Sequence, residues 1–538
     1  MRHALHAILS IAFLMLLARS GFSASPEDLF VDSKHAPRDV KLFLHIADAS
    51  SLWRELSDRP VAAFVSELLG RGDLAKAWAQ LATLTGEEPQ TLFNNVLGRR
   101  VTVLQRERGD STQWALISQA EPGTVDRLFQ ALEPRVLAPR HDVALAQFPD
   151  FGLVVGRRDD TLLVGPVGAS ALFDELVRSI RDLHETPLSD DPAIAAAREL
   201  GDGQIGVFLR HDAPLGGHSV AVADFSGDRL TLHHAATFVH SPFAAPVTRL
   251  TWDFSPLQAF EQHSIVALME PIDAGGGQIE SFCLATLGES LLSPQMRANL
   301  GERRMLVLGG SEKLQGDPRL QSIAAARCYE ITDDSSAIVQ LDEQMIRLTN
   351  AINRAGQGAY LVNVPHAAAF RTGAARQIDL QPAAETAFKG LPIMPNIELN
   401  WDIASGPSGK WYVIASDREQ LLRCKQALAS PIEQCMPEGR YEHCGFLNGQ
   451  KLGLQLQGWT DVAPAIADES QVQQVSAALR LLSELAGGIE KCRWQMIRPA
   501  TDQVRVNMQI KLAEPQSTRI AEFDSRVGRK QSPTPIHK

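Results

Sequence analysis

Cysteine is missing from the first 282 residues of this 538-residue chain, and the six present (Cys283, Cys328, Cys424, Cys435, Cys444, Cys492) all fall in the second half. A disulfide scaffold therefore cannot organise the first half, which must rest on an apolar core. No Asn-x-Ser/Thr sequon occurs anywhere, an absence that suits a bacterial source. Basic residues are outnumbered, 52 Lys and Arg against 63 Asp and Glu for a net charge of −11, which excludes general affinity for nucleic acid. Beyond the first two dozen residues no apolar run reaches the length of a membrane helix, so there is no membrane span apart from the leader. The H-E-x-x-H pattern, the D-x-D-x-D-G calcium loop and the G-x-S-x-G elbow are all absent. A catalytic triad assembled from distant residues leaves no such local mark.

What is present begins with an export signal. Met1 and Arg2 open a basic start, an apolar run extends from Ala7 to Leu17, and Gly21-Phe22-Ser23 places small residues at a cleavage site. The expectation is a signal peptide over residues 1–23, cut after Ser23, with the periplasm, cell envelope or exterior as destination; a retained leader would instead act as an anchor. At 44% hydrophobic and 21% charged residues, the remainder has the composition of a globular protein with more than one core. The end, residues 513–538, gathers Arg526, Arg529, Lys530 and Lys538 among glycine and proline, and reads as a disordered basic tail.

Between leader and tail the patterning predicts α+β structure. Val40–Ile46 reads as a strand, and helical segments are expected at Ser51–Leu56, Val61–Leu69, Leu74–Leu84, Thr124–Leu132 and Ala169–Leu183. Three hairpins are expected across Gly109-Asp110, Asp159-Asp160 and Ser226-Gly227-Asp228, where apolar and β-branched runs flank turn residues. Hairpins mixed with helices imply antiparallel sheets with helices on a face. Pro242, Pro246 and Pro256 mark a linker, giving a first domain over 28–240, a linker over 241–262 and a cysteine-containing second domain over 263–512.

The second domain repeats the order of the first. Leu300-Gly301-Glu302-Arg303-Arg304 is similar to Leu97-Gly98-Arg99-Arg100-Val101, and the hairpin of Leu399–Ile414 with its helix at Asp417–Leu428 is similar to that at Gly152–Val164. Offsets of about 203, 250 and 274 residues between matched segments are too unequal for a strict repeat, so the expectation is duplication of one α+β unit with insertions in the second copy, the alternative being the look-alikes that any α+β chain yields. Asn448-Gly449 before Leu452-Leu454-Leu456 predicts another hairpin, and Val472, Val475, Leu479, Leu482 and Leu485 predict a helix with a buried stripe.

Candidate chemistry is sparse. In an oxidising compartment six cysteines favour disulfides, in any of fifteen connectivities, of which pairing of sequence neighbours would join Cys283 to Cys328, Cys424 to Cys435 and Cys444 to Cys492. Cys435, His443 and Cys444 lack the spacing of a zinc site, so no metal is expected. Gly406-Pro407-Ser408-Gly409-Lys410-Trp411 departs from a phosphate loop in spacing and reads as a turn, and Gly275-Gly276-Gly277 lacks the rest of a dinucleotide signature, so no cofactor is expected. His233 and His234 fall on opposite faces of a strand. Asp159-Asp160 and Asp190-Asp191 read as turns or helix starts. Trp401 and Trp411, on two arms of one hairpin, would meet across it, as core or as a sugar platform.

The opening strand Leu42-Phe43-Leu44-His45-Ile46, the Leu-rich short helices and Leu97-Gly98-Arg99-Arg100-Val101 together resemble large families of uncharacterised exported bacterial proteins. The resemblance spans most of the chain without the leader and implies a repeated α+β unit but no catalytic residues. The expectation is an exported, non-catalytic binding or structural component of the cell envelope with an envelope or protein partner; the alternative is an exported hydrolase whose site is assembled from distant residues.

Overall fold

The computed structural model describes residues 24–51, 82–240, 255–271, 296–310, 323–363, 376–382, 397–430, 442–466 and 469–513, apart from some single positions and the gaps 333–336 and 356–359. The helices expected between Ser51 and Leu84, the Gly275-Gly276-Gly277 segment, Cys283, Cys435, most of the linker and the basic tail lie outside these residues. Two compact units emerge, one of Met1–Pro242 with Asp502–Lys538, the other of Phe243–Thr501.

In the first unit the described strands are β1 (Leu42–Ile46), β2 (Arg100–Arg108), β3 (Ser111–Gln119), β4 (Arg135–Arg140), β5 (Val143–Phe148), β6 (Leu153–Arg158), β7 (Thr161–Pro166), β8 (Ile205–Arg210), β9 (His218–Ser226) and β10 (Arg229–Thr237). Antiparallel pairing orders them β4-β5-β6-β7-β3-β2-β1-β8-β9-β10. The three expected hairpins are present, and Gly109, Asp159 and Gly227 at their turns have φ of +61°, +51° and +68°, the left-handed region tight turns require.

In the second unit the strands are β11 (Val266–Pro271), β12 (Leu300–Gly310), β13 (Ile323–Ile331), β14 (Tyr360–Asn363), β15 (Gln377–Pro382), β16 (Ile397–Gly406), β17 (Gly409–Ala415), β18 (His443–Leu447) and β19 (Ile489–Ile497). Their order is β14-β15-β16-β17-β13-β12-β11-β18-β19, again antiparallel throughout. Counted from its own first strand, this is the order of the first nine strands of the first unit. The last strand, β20 (Gln503–Leu512), belongs to the first unit and pairs antiparallel with β10 along all nine residues of that strand, Arg229 opposite Lys511 to Thr237 opposite Gln503.

Helices cover both faces of the strands in each unit, as the burial of adjacent strand residues shows. Leu162 and Leu163 on β7 point to opposite sides and join different cores. Leu163 packs with helices α1 (Pro26–Leu29), α4 (Ala171–Asp182) and α5 (Pro192–Ala197), and Leu162 with α2 (Pro89–Leu97) and α3 (Thr124–Leu132). In the second unit Cys328 faces α6 (Ser255–Phe260) and α8 (Arg418–Ala429), while its neighbour Tyr329 faces α7 (Ala337–Ala355). Asp417 caps α8, its carboxylate accepting the Gln420 N–H at 2.7 Å.

Two sequence expectations fail here. Asn448-Gly449 starts a helix, α9 (Gly449–Ile466), because the Asn448 side chain accepts the Lys451 N–H at 3.0 Å as an N-cap. Leu452 and Leu456, read as strand alternation, are also four apart on one helical face, whereas Leu454 is 69% exposed. The stripe on α10 (Glu469–Gly487) is not fully buried: Val475 and Leu482 are 37% and 42% exposed. This helix meets α9 beside the stripe, where Gly453 lets the backbones approach and its carbonyl accepts the Ser483 hydroxyl at 2.7 Å.

Candidate functional site

The most enclosed polar cluster of the first unit is Asp32, His45 and Thr102. The sheet register sets His45 on β1 directly opposite Thr102 on β2, with Gly206 of β8 on the other side of His45. Gly206 matters by its lack of a side chain. A Cβ there would sit 3.0 Å from the Leu29 carbonyl oxygen and 3.2 Å from the Phe30 ring, so its absence lets α1 lie against the sheet. The 3₁₀ turn Val31–Lys34 that follows then lowers Asp32 onto the two strand residues. Gly206→Ala should lift this turn and destabilise the first unit by about 1–2 kcal/mol; an unfolding midpoint in denaturant equal to wild type would refute the contact.

Asp32, His45 and Thr102 are 2%, 1% and 0% exposed. Thr102 Oγ1 donates to Asp32 Oδ2 at 2.6 Å and lies 2.8 Å from His45 Nδ1. Its single proton is directed to the carboxylate, so Nδ1 carries a hydrogen and donates to the hydroxyl oxygen. Arg100 Nη2 stands 3.5 Å from the other Asp32 oxygen. Burial outweighs the attraction of Asp32 and pushes the His45 pKa down to about 4. The order acid, hydroxyl, imidazole is the reverse of a nucleophilic triad, where the imidazole stands between acid and hydroxyl and accepts its proton. Thr102 is therefore hydrogen-bonded to Asp32 rather than to an accepting imidazole, and it has no access to solvent.

Nearby polar groups are similarly engaged. His35 Nδ1 donates to the Ser179 carbonyl at 2.9 Å, and the Ser179 hydroxyl donates to the His35 carbonyl at 2.9 Å. Arg106 grips both oxygens of Glu175 at 2.8 and 3.2 Å and also reaches Asp39 and Gln113. In the second unit Glu270 on β11 is flanked across the ladder by Arg304, whose Nε donates at 2.7 Å, and by His443, 3.3 Å away. Burial alone would raise the Glu270 pKa, but the His443 hydrogen bond and the Arg304 charge hold it below the usual carboxylate value. Glu442 and Arg498, both buried, form a two-bond pair at 2.7 and 3.1 Å.

The residues singled out in the sequence are dispersed. His233 pairs at Nδ1 with Asn507 Oδ1 at 3.0 Å, and His234, on the opposite face, is pushed to about pKa 4 by burial and by His211. Asp159 and Asp160 form a hairpin turn, while Asp191 caps α5 through Ala193 N at 3.1 Å and accepts Arg210 at 3.0 Å. Gly406 to Gly409 is the tight turn between β16 and β17. Trp401 and Trp411 are both fully buried, which removes the sugar platform, and they do not meet. Trp401 lies opposite Ile414, so Trp411 falls on the other face, in the other core. Trp401 Nε1 donates to Asp342 at 2.7 Å, and the Arg303 guanidinium lies 5.2 Å from the Trp411 ring centre.

The cysteine pairing by sequence neighbours also fails where it can be seen. Cys328, Cys424, Cys444 and Cys492 are all unbridged, and Cys283 and Cys435 lie outside the described residues. On paired strands Leu447, not Cys444, is opposite Cys492, and the odd offset puts the two sulfurs on different faces of the sheet. Cys328 instead neighbours Cys424, with which it shares a thiol hydrogen bond. Among the described residues no group of three His, Cys, Asp or Glu side chains is placed to hold a metal, and His443 turns to Glu270.

The polar cluster left no local signature in the sequence because its members lie 13 to 70 residues apart. A histidine inside the otherwise apolar strand Leu42–Ile46 is the one signal that pointed to it. No family model, curated protein or solved structure matches this chain.

Proposed function

We propose that this chain is an exported, non-catalytic α+β protein built from two related units, serving as a binding or structural component of the cell envelope. The observation that carries the reading is the engagement of four buried or partly buried polar pairs: Asp32 with Thr102, Arg106 with Glu175, Glu270 with Arg304, and Glu442 with Arg498. An active site needs a nucleophile or base aimed at an open space, and the Asp32–Thr102–His45 order works against one. Relationship between the units is supported by their shared strand order and by register: Thr102, Ile117 and Leu163 stand side by side in the first as Met305, Cys328 and Val413 do in the second. Export is supported by the basic start, the apolar run Ala7–Leu17 and the small residues of Gly21-Phe22-Ser23.

Expression of the whole chain in a bacterial host, with fractionation and N-terminal sequencing, tests localisation. Mature material beginning at Ala24 in the exported fraction is expected, and cytoplasmic material beginning at Met1 would overturn export. Reproducible turnover of an ester, peptide or glycoside substrate, abolished by one polar-to-alanine change, would overturn the non-catalytic reading.

A further inference from the structure

Cys328 and Cys424 are both 0% exposed, on the strand β13 and the helix α8 that covers it, and their thiols are in hydrogen-bonding contact. Strand and helix pack directly against each other, and both cysteines belong to the same buried core. The corresponding place in the first unit holds no sulfur. There Ile117, flanked by Thr102 and Leu163 across the ladder, packs in one core with Leu172, Leu176 and Val177 of α4. The second unit thus sets two sulfurs together inside a helix–sheet contact that hydrocarbon fills in the first.

We propose that Cys328 and Cys424 are joined as a disulfide while the second unit folds, an inference that rests on the export reading for its oxidising compartment. Two S–H bonds are lost and one S–S bond forms. The two electrons and two protons pass to a small-molecule or protein disulfide, whose own S–S bond is cleaved to two thiols. The bridge closes a loop of roughly 100 residues, the long-loop regime in which a crosslink most restricts the unfolded chain. Timing follows from burial. Once α8 has docked, neither sulfur can be reached by an oxidant, and the hydrogen bond with Cys424, together with burial, holds the Cys328 thiol well above its ordinary pKa. The bond is therefore made before the core closes and is protected afterwards.

The test uses the full-length chain. Reduced, unfolded protein is refolded in a mixture of oxidised and reduced glutathione, alkylated, and digested without reductant. The expected product is a peptide pair linking Cys328 to Cys424, with a melting transition roughly 10 °C above that of the reduced protein. Folded, reduced protein in the same mixture is expected to keep both thiols free for hours. Recovery of both residues as alkylated thiols after refolding, or of either linked to Cys283, Cys435, Cys444 or Cys492, would overturn the proposal. Because the map is read on the wild-type chain, it stands even where a Cys424→Ala variant does not fold. If the link forms on refolding but cellular material is cytoplasmic, begins at Met1 and is reduced, export fails while the thiol pairing stands.

Discussion

Asp32→Ala is expected to destabilise the first unit by about 3–4 kcal/mol, the largest effect of any single substitution in its polar core. The carboxylate is the common partner of the cluster: it accepts the Thr102 hydroxyl at 2.6 Å and faces Arg100 at 3.5 Å. Removing it takes away the charged acceptor of the Thr102 hydroxyl, leaving only the neutral His45 ring nitrogen in a place water does not reach, and leaves the half-buried Arg100 charge without its counterion. Asp32→Asn keeps the volume and an amide oxygen for Thr102 while removing the charge, so a loss of about half that size is expected. Thr102→Val, which deletes donor and acceptor together in the same shape, should fall near 1–2 kcal/mol. Urea unfolding of the three variants, followed by near-ultraviolet circular dichroism, reads the order Ala, Asn, Val. An alanine variant within 0.5 kcal/mol of wild type, a margin typical of neutral surface changes, would mean that the cluster contributes nothing to the fold.

Acidification should destabilise the protein well before its carboxylates protonate. His45 and His234 are native as neutral imidazoles, each pushed from the ordinary 6.5 to about 4, chiefly by burial. Between pH 6.5 and about 4 the unfolded chain therefore binds more protons than the folded one, and stability falls as pH falls through that window. Each group contributes an amount fully present above pH 6.5 that reaches about 3 kcal/mol of loss near pH 4. Over the upper part, pH 6.5 to 5, the decline is about 2 kcal/mol per histidine. His45→Gln removes one titrating group while keeping a side chain able to donate to Thr102, so its stability should vary less with pH, at some cost at pH 7.5. Identical slopes for wild type and variant between pH 6.5 and 5 would rule out His45 as a source of acid sensitivity.

What was readable in the sequence and what was not divides along physical lines. Turns were readable because a few residue types do the work: Gly109, Asp159 and Gly227 occupy the left-handed backbone region that other residues avoid. Helices at Thr124–Leu132 and Arg418–Ala429 were readable from their apolar spacing. The strand Ile323–Ile331 was not, because its Ala324-Ala325-Ala326 run has helical propensity. In the folded protein Ala324 and Ala326 are buried, so small size at a crowded sheet position overrides local preference. Asn448 was misread for a related reason, since asparagine serves both tight turns and helix starts and nothing nearby in sequence decides between them. For the polar cluster, long-range strand pairing places His45 against Thr102, and spacing along the chain carries no trace of it.

The last described strand, β20, pairs with β10 of the first unit, and this dictates the order in which the described sheet can be finished. A ribosome delivers β10 some 270 residues before its neighbour β20, so throughout that interval the first sheet has an open margin of unsatisfied amides and carbonyls. The first-made half consequently gains its β10 neighbour only after Gln503–Leu512 has emerged. The same geometry makes the molecule a proofreader of its own length. A premature stop or a proteolytic nick just before Gln503 removes material from one end of the sequence, and the injury appears in the sheet built from the other.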